Sequence, residues 1–117
     1  MQREEIILEP ITSSLIDEIC DRIIENIDPD KIILFGSTVS GDMEKSHDVD
    51  IYVVKQGVKD VREFERKIDE LFVGRLFALD VIVRTPEQVK KSLSSGNSFL
   101  SQEIIGKGRV LYDKQNY

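Results

Sequence analysis

At 117 residues, the chain is sized for one domain spanning 1–117, with a real core but no room for a catalytic domain plus a separate substrate domain. Hydrophobic content of 40% and charged content of 32% describe a folded soluble protein rather than a disordered one, and the net charge of −6 argues against broad nucleic-acid binding, which relies on Lys and Arg neutralising phosphates. That balance does not exclude a nucleotide, whose charge metal ions can mask. Cys20 is the only cysteine, so neither an internal disulfide nor a thiolate metal site is available. No apolar run approaches the roughly 20 residues of a membrane span, and Met1–Glu5 has no signal-peptide core. A reducing, cytoplasmic setting is expected, with no membrane association.

In chain order, Thr12–Ser14 offer capping side chains before a stripe of Leu15, Ile16, Ile19, Cys20, Ile23, Ile24 and Ile27, the i, i+3, i+4 spacing of an amphipathic helix. Asp28-Pro29-Asp30 ends it. Cys20 lies on the stripe, where a small core residue is expected rather than a reactive thiol. Lys31–Phe35 is an apolar run with almost no alternation, which predicts a central strand covered on both faces. A polar loop from Gly36 to His47 leads into a second strand, Asp48–Val54.

Lys55-Gln56-Gly57 then turns the chain into a second amphipathic helix carrying Val61, Phe64, Ile68, Leu71 and Phe72, with Gly74 suited to its end. Its mixed-charge side reads as a solvated face or, alternatively, a docking surface for a protein partner. Leu76–Val83 is a third strand with one anomaly: Asp80 in a dry interior would require a cation or a proton. The bland alternative is that Asp80 faces solvent on an edge strand or pairs with Arg75 or Arg84. Thr85-Pro86-Glu87-Gln88 opens a short helix through a capping box. Ser94–Asn97 breaks it, a last helix carries Phe99, Leu100, Ile104 and Ile105 to Gly106, and Arg109–Tyr112 is a brief strand before a tail expected to fray.

Chemistry is concentrated between the first two strands. Side chains alternate across a strand, so Asp48 and Asp50 point the same way with Val49 turned to the other face. Three carboxylates over a sheet can hold two magnesium ions about 4 Å apart, clamping the attacking and leaving oxygens of a phosphoryl displacement. Gly36 permits close backbone approach to a phosphate, and Ser37 adds a hydroxyl beside exposed amides.

Gly36-Ser37, Gly41, Asp48-x-Asp50 and Asp80, in this order and spacing, resemble the nucleotidyltransferase superfamily related to DNA polymerase β, and within it the minimal nucleotidyltransferase group. The likeness covers nearly the whole chain, including the closing Val110-Leu111-Tyr112. It implies an α/β (α+β) fold, a small mixed β-sheet of three to four strands packed against helices. It also implies that Asp48, Asp50 and Asp80 ligate two Mg²⁺ ions, with Asp80 able to take the proton of an acceptor hydroxyl. Gly36, Ser37, Thr38 and Gly41 would form the nucleotide-binding turn, with ATP as substrate and AMP as the transferred group.

The chain departs from the family in two places. Thr38 and Ser40 stand where relatives often carry arginines, which removes bidentate donors suited to a triphosphate. His47 precedes the Asp-x-Asp where Ser is common; it could orient a phosphate or sense pH, but reads more simply as a loop residue. Lys45 offers a flexible point charge nearby.

Minimal members of the group are typically paired with a helical HEPN-type toxin, so the resemblance implies an antitoxin that adenylylates a toxin tyrosine. A catalytically weak or inactive antitoxin that acts by binding, and nucleotidyl transfer to a small hydroxylated molecule, remain the alternatives. A homodimer also stays open.

Overall fold

The computed structural model describes residues 8–41 and 43–116. Helix α1, Ser13–Ile27, starts where the Thr12 hydroxyl accepts the Leu15 amide at 3.1 Å and ends at Asp28, whose left-handed backbone (φ 52°) turns the chain out of the helix. Its buried stripe is Leu15, Ile16, Ile19, Cys20, Ile23 and Ile27. Burial pushes the Cys20 thiol up to about 11, the value of an inert core sulfur.

Four strands form one mixed sheet in the order β3-β2-β1-β4: β1 is Lys31–Phe35, β2 Asp48–Val54, β3 Ala78–Arg84 and β4 Arg109–Asp113. β1 runs antiparallel to both β2 and β4, so it is central, as its unbroken apolar run requires. β3 lies parallel to β2 and forms one edge. Parallel pairing needs a crossover, supplied by α3, Val61–Glu70, which Asp60 caps by accepting the Arg62 and Glu63 amides at 3.1 and 3.3 Å.

Alternation divides the sheet into two faces. Ile32, Leu34, Val49, Ile51, Val53, Leu79 and Val83 join α1 and α3 in the main core. Ile33, Phe35 and Tyr52 face the other way and pack with Leu100 and Ile104 in a smaller cluster. That second face is covered by α4, Pro86–Ser94, which buries no residue completely, and α5, Phe99–Gly106. Thr85 and Gln88 form the expected capping box at the start of α4.

Three local features differ from the sequence expectation. The loop after Gly36 contains a helical turn, α2 (Ser37–Ser40), and a 3₁₀ turn at Met43–Lys45. The last helix is wide: the Lys107 amide donates to the Gln102 carbonyl five residues back at 3.0 Å. That geometry breaks the 3.6-residue stripe and leaves Phe99 48% and Ile105 52% exposed. The tail is anchored through residue 116 rather than frayed. Asp113 pairs with Lys31 in the sheet, the Lys114 amide donates to the Asp30 carbonyl at 2.9 Å, and its ammonium meets Asp28 at 3.0 Å; Tyr117 lies outside the described residues. No described helix is long and apolar enough to cross a membrane.

Candidate functional site

The site is built where β1 leaves the sheet. Phe35, its last residue, pairs with Asp50 of β2, and Gly36 follows at φ 80°. A Cβ at Gly36 would run into the Asp50 carboxylate, so only glycine lets the turn pass this close. The amides of Val39 and Ser40 return to the Gly36 carbonyl at 3.1 and 3.0 Å, and that of Gly41 to Ser37 at 2.9 Å. This leaves the first amides of the turn, those of Ser37 and Thr38, outside its own hydrogen-bond ladder.

The four residues of the Gly-Ser turn are not equivalent. Ser37 is exposed and shares a hydrogen bond with Ser46 at 3.1 Å. Thr38 is buried, its hydroxyl donating to the Phe35 carbonyl at 3.5 Å, so its side chain is turned away from the outer surface of the turn. Ser46, which sequence reasoning missed, also accepts the Asp48 amide at 3.3 Å and donates to the Asp48 carbonyl at 3.2 Å. It ties Ser37 to the start of β2. The available signal was the Ser-x-Asp spacing of a side-chain-closed turn.

Asp48 and Asp50 occupy alternate positions of β2 on the face opposite the main core, and Asp80 lies directly beside Asp50 in the β2–β3 register. Parallel neighbours are about 4.8 Å apart, so the Asp50 and Asp80 carboxyls crowd together. Asp50 is pushed up from 3.8 to about 6: desolvation acts first, then a hydrogen bond shared with Asp80, then the charges of Asp80 and Asp48. Asp80 is not in a dry interior; it is exposed on the edge strand, as the bland alternative held. Neither candidate arginine neutralises it, because Arg75 pairs with Asp69 at 2.7 Å and Arg84 with Glu65 at 3.4 Å. Lys45 and His47 are exposed, and the His47 carbonyl accepts the Ala78 amide at 2.8 Å, which fixes the start of β3 against β2.

The acids therefore form a close pair, Asp50 and Asp80, with Asp48 standing off on the same face. Among the described residues no group of three acids, histidines or cysteines is gathered tightly enough to cage a metal ion unaided. Magnesium seldom asks for such a cage, since one or two carboxylates and substrate phosphates commonly complete its shell. A carboxyl pair with no ion pair among the described residues, beside turn amides outside their own ladder, fits that mode of binding.

A mixed sheet with this turn and these strands has the architecture of a nucleotidyltransferase. The chain belongs to the polymerase beta nucleotidyltransferase family, whose profile matches residues 17–117. Its fold is similar to that of a protein from Sulfolobus solfataricus assigned as a nucleotidyltransferase, with a TM-score of 0.59 at 19% identity, covering 87% of this chain and 80% of that one. Two mutant forms of the toxin–antitoxin pair MntA–HpeT share it as well: one at a TM-score of 0.59 and 22% identity, covering 86% and 73% of the two chains, the other at 0.54 and 21%, covering 86% and 74%. No curated protein matches the chain. The superfamily resemblance carried by Gly36-Ser37, Asp48, Asp50 and Asp80 agrees with the family match.

Proposed function

We propose that this chain is a Mg²⁺-dependent nucleotidyltransferase that moves AMP from ATP to a hydroxyl, a tyrosine of a HEPN-type toxin, and so acts as a cytoplasmic antitoxin. The observation that carries this reading is the register of Asp50 against Asp80, two carboxyls held together with no guanidinium paired to either among the described residues. Asp48, Asp50 and Asp80 would hold magnesium, which when bound supplies charge neutralisation for the triphosphate and polarises the reacting oxygens.

The protein's own residues position the rest. Ser37 and the backbone after Gly36 face the β- and γ-phosphates. The acceptor oxygen attacks the α-phosphorus and gives up its proton to Asp80; the bond to the β-phosphate breaks, and pyrophosphate leaves with its electron pair. The fold shared with the MntA–HpeT pair supports the toxin as acceptor.

The test is incubation with the product of the adjacent gene, labelled ATP and magnesium. Label should move to that partner and fall by ~10²-fold or more in Asp48→Asn and Asp80→Asn. An antitoxin that acts by binding alone is favoured by one feature, the burial of Thr38 in a loop without arginines. It predicts tight complex formation without label, unchanged by either substitution.

A further inference from the structure

β3 is an edge strand, and its alternation sets what the edge offers. The Ala78 amide donates to His47 and the Arg84 carbonyl accepts from Lys55, so the main-chain groups of residues 78, 80, 82 and 84 turn toward β2. Those of Leu79, Val81 and Val83 therefore turn outward. At Val83 both are already taken: Glu65 accepts its amide at 2.9 Å, and Arg84 donates to its carbonyl at 2.7 Å. At Leu79 and Val81 no partner is found among the described residues. The open stretch forms one side of a groove of about 540 Å³, whose other side is α3 with Arg62, Glu65, Arg66 and Asp69. Each of its four acids is engaged: Asp60 accepts the Arg62 and Glu63 amides, Glu65 pairs with Arg84, Asp69 with Arg75, and Asp80 shares a hydrogen bond with Asp50. Arg62 and Arg66, one turn apart and exposed, carry no ion pair or hydrogen bond on their guanidinium groups among the described residues.

We propose that this edge binds the acceptor as an extended polypeptide, adding a fifth strand antiparallel to β3 and stopping at the capped Val83. Leu79 and Val81 would each exchange two main-chain hydrogen bonds with it, and the residue between would sit opposite Asp80 in the close, non-hydrogen-bonded position, about 4.5 Å away between Cα atoms. That residue's side chain stands on the same face as Asp80, Asp50 and Asp48, so a tyrosine, serine or threonine there delivers its hydroxyl to the acids. Its two neighbours point to the α3 side, where Arg62 and Arg66 select acidic residues. The recognised segment is thus acidic-hydroxyl-acidic in an extended strand. A nucleic-acid strand would satisfy the arginines but has no alternating backbone donors for the Leu79 and Val81 carbonyls. The inference rests on the transferase reading for its outcome but not for its binding step.

The probe is a fluorescent acetyl-Val-Thr-Glu-Tyr-Glu-Thr-Val-amide titrated into the full chain without nucleotide. It should bind and move the amide resonances of Leu79 and Val81. N-methylation of both glutamates, which removes two of the four strand bonds, should weaken it roughly tenfold or more, and Arg66→Glu should weaken it while leaving the circular dichroism unchanged. Equal binding of the methylated peptide, unmoved Leu79 and Val81 resonances, absence of binding, or displacement by a single-stranded oligonucleotide would each overturn the edge. The two ideas fail separately. Peptide bound at the edge without transfer of label to any partner removes the transferase and leaves the docking site, whereas transfer to the partner with an unchanged KM in Arg66→Glu removes the docking site and leaves the transferase.

Discussion

The two faces of the sheet are built for different purposes. Toward α1 and α3 the strands present Ile32, Leu34, Val49, Ile51 and Val53, all fully enclosed, against Ile16, Ile19 and Ile23 of the first helix. Toward α4 and α5 the same strands present Asp48, Asp50 and Tyr52, and from β3 Asp80; the cover is an α4 with no fully buried residue and a wide α5 turn with Phe99 and Ile105 largely exposed. Adjacent residues of one strand, Val49 and Asp50, belong to these two worlds. Close packing on one side lets the other carry a pair of carboxyls that repel each other, because the strands holding them are fixed by contacts the acids do not share.

The largest break in this comparison should come from the enclosed face. Ile23→Ala or Ile51→Ala removes a side chain with no solvent contact and should cost about 2–5 kcal/mol, read from urea unfolding. Leu93→Ala, on α4 and 42% exposed, should stay within about 0.5 kcal/mol. Similar losses for both substitutions would mean that α4 closes a second core as firm as the first.

Next in size is Gly36→Ala, at the seam between the faces. It meets two penalties, a positive φ and a collision with the Asp50 carboxyl, and should cost about 1–3 kcal/mol. It should also abolish label transfer, since the turn must move away from the acids. Full activity with wild-type stability would show that the turn rests farther from β2 than this geometry requires.

Legibility in the sequence followed the same division. The enclosed face was readable because its signals are periodic: the α1 stripe and the apolar β1 run dictate burial whatever their partners are. The acids were readable as residues, since Asp48 and Asp50 share a face by alternation alone. The pairing of Asp50 with Asp80 was not, because the register of a crossover-connected strand is set by tertiary packing of α3. The family resemblance implies Thr38 in the nucleotide turn, yet a helical turn at α2 rotates its side chain inward. The anchored tail has no local signature for a related reason: Lys114 meets Asp28 from 86 residues away in the chain, and no nearby pattern announces that contact.

Asp50 sharpens the comparison from the other direction, since here a substitution should stabilise, by less than the losses at Ile23 or Gly36. Asp50 has a folded value of about 6 against 3.8 for a free carboxyl. Between those values the folded state binds more protons than the unfolded one, so this group's contribution to stability is fully present below pH 3.8, falls as pH rises toward 6, and stays low above it. Asp50→Asn should therefore raise stability at pH 7.5 by about 1 kcal/mol, a figure reduced from the full shift because the carboxyl still meets solvent, and should lose that advantage near pH 4. Millimolar magnesium should stabilise the wild type at pH 7.5 and leave Asp50→Asn nearly unmoved, since a cation answers the same repulsion the substitution removes. Thermal denaturation at the two pH values, with and without magnesium, separates the possibilities. If Asp50→Asn destabilises at pH 7.5, the acids are not crowded in solution, and the face that carries them is held by something other than the packing beneath it.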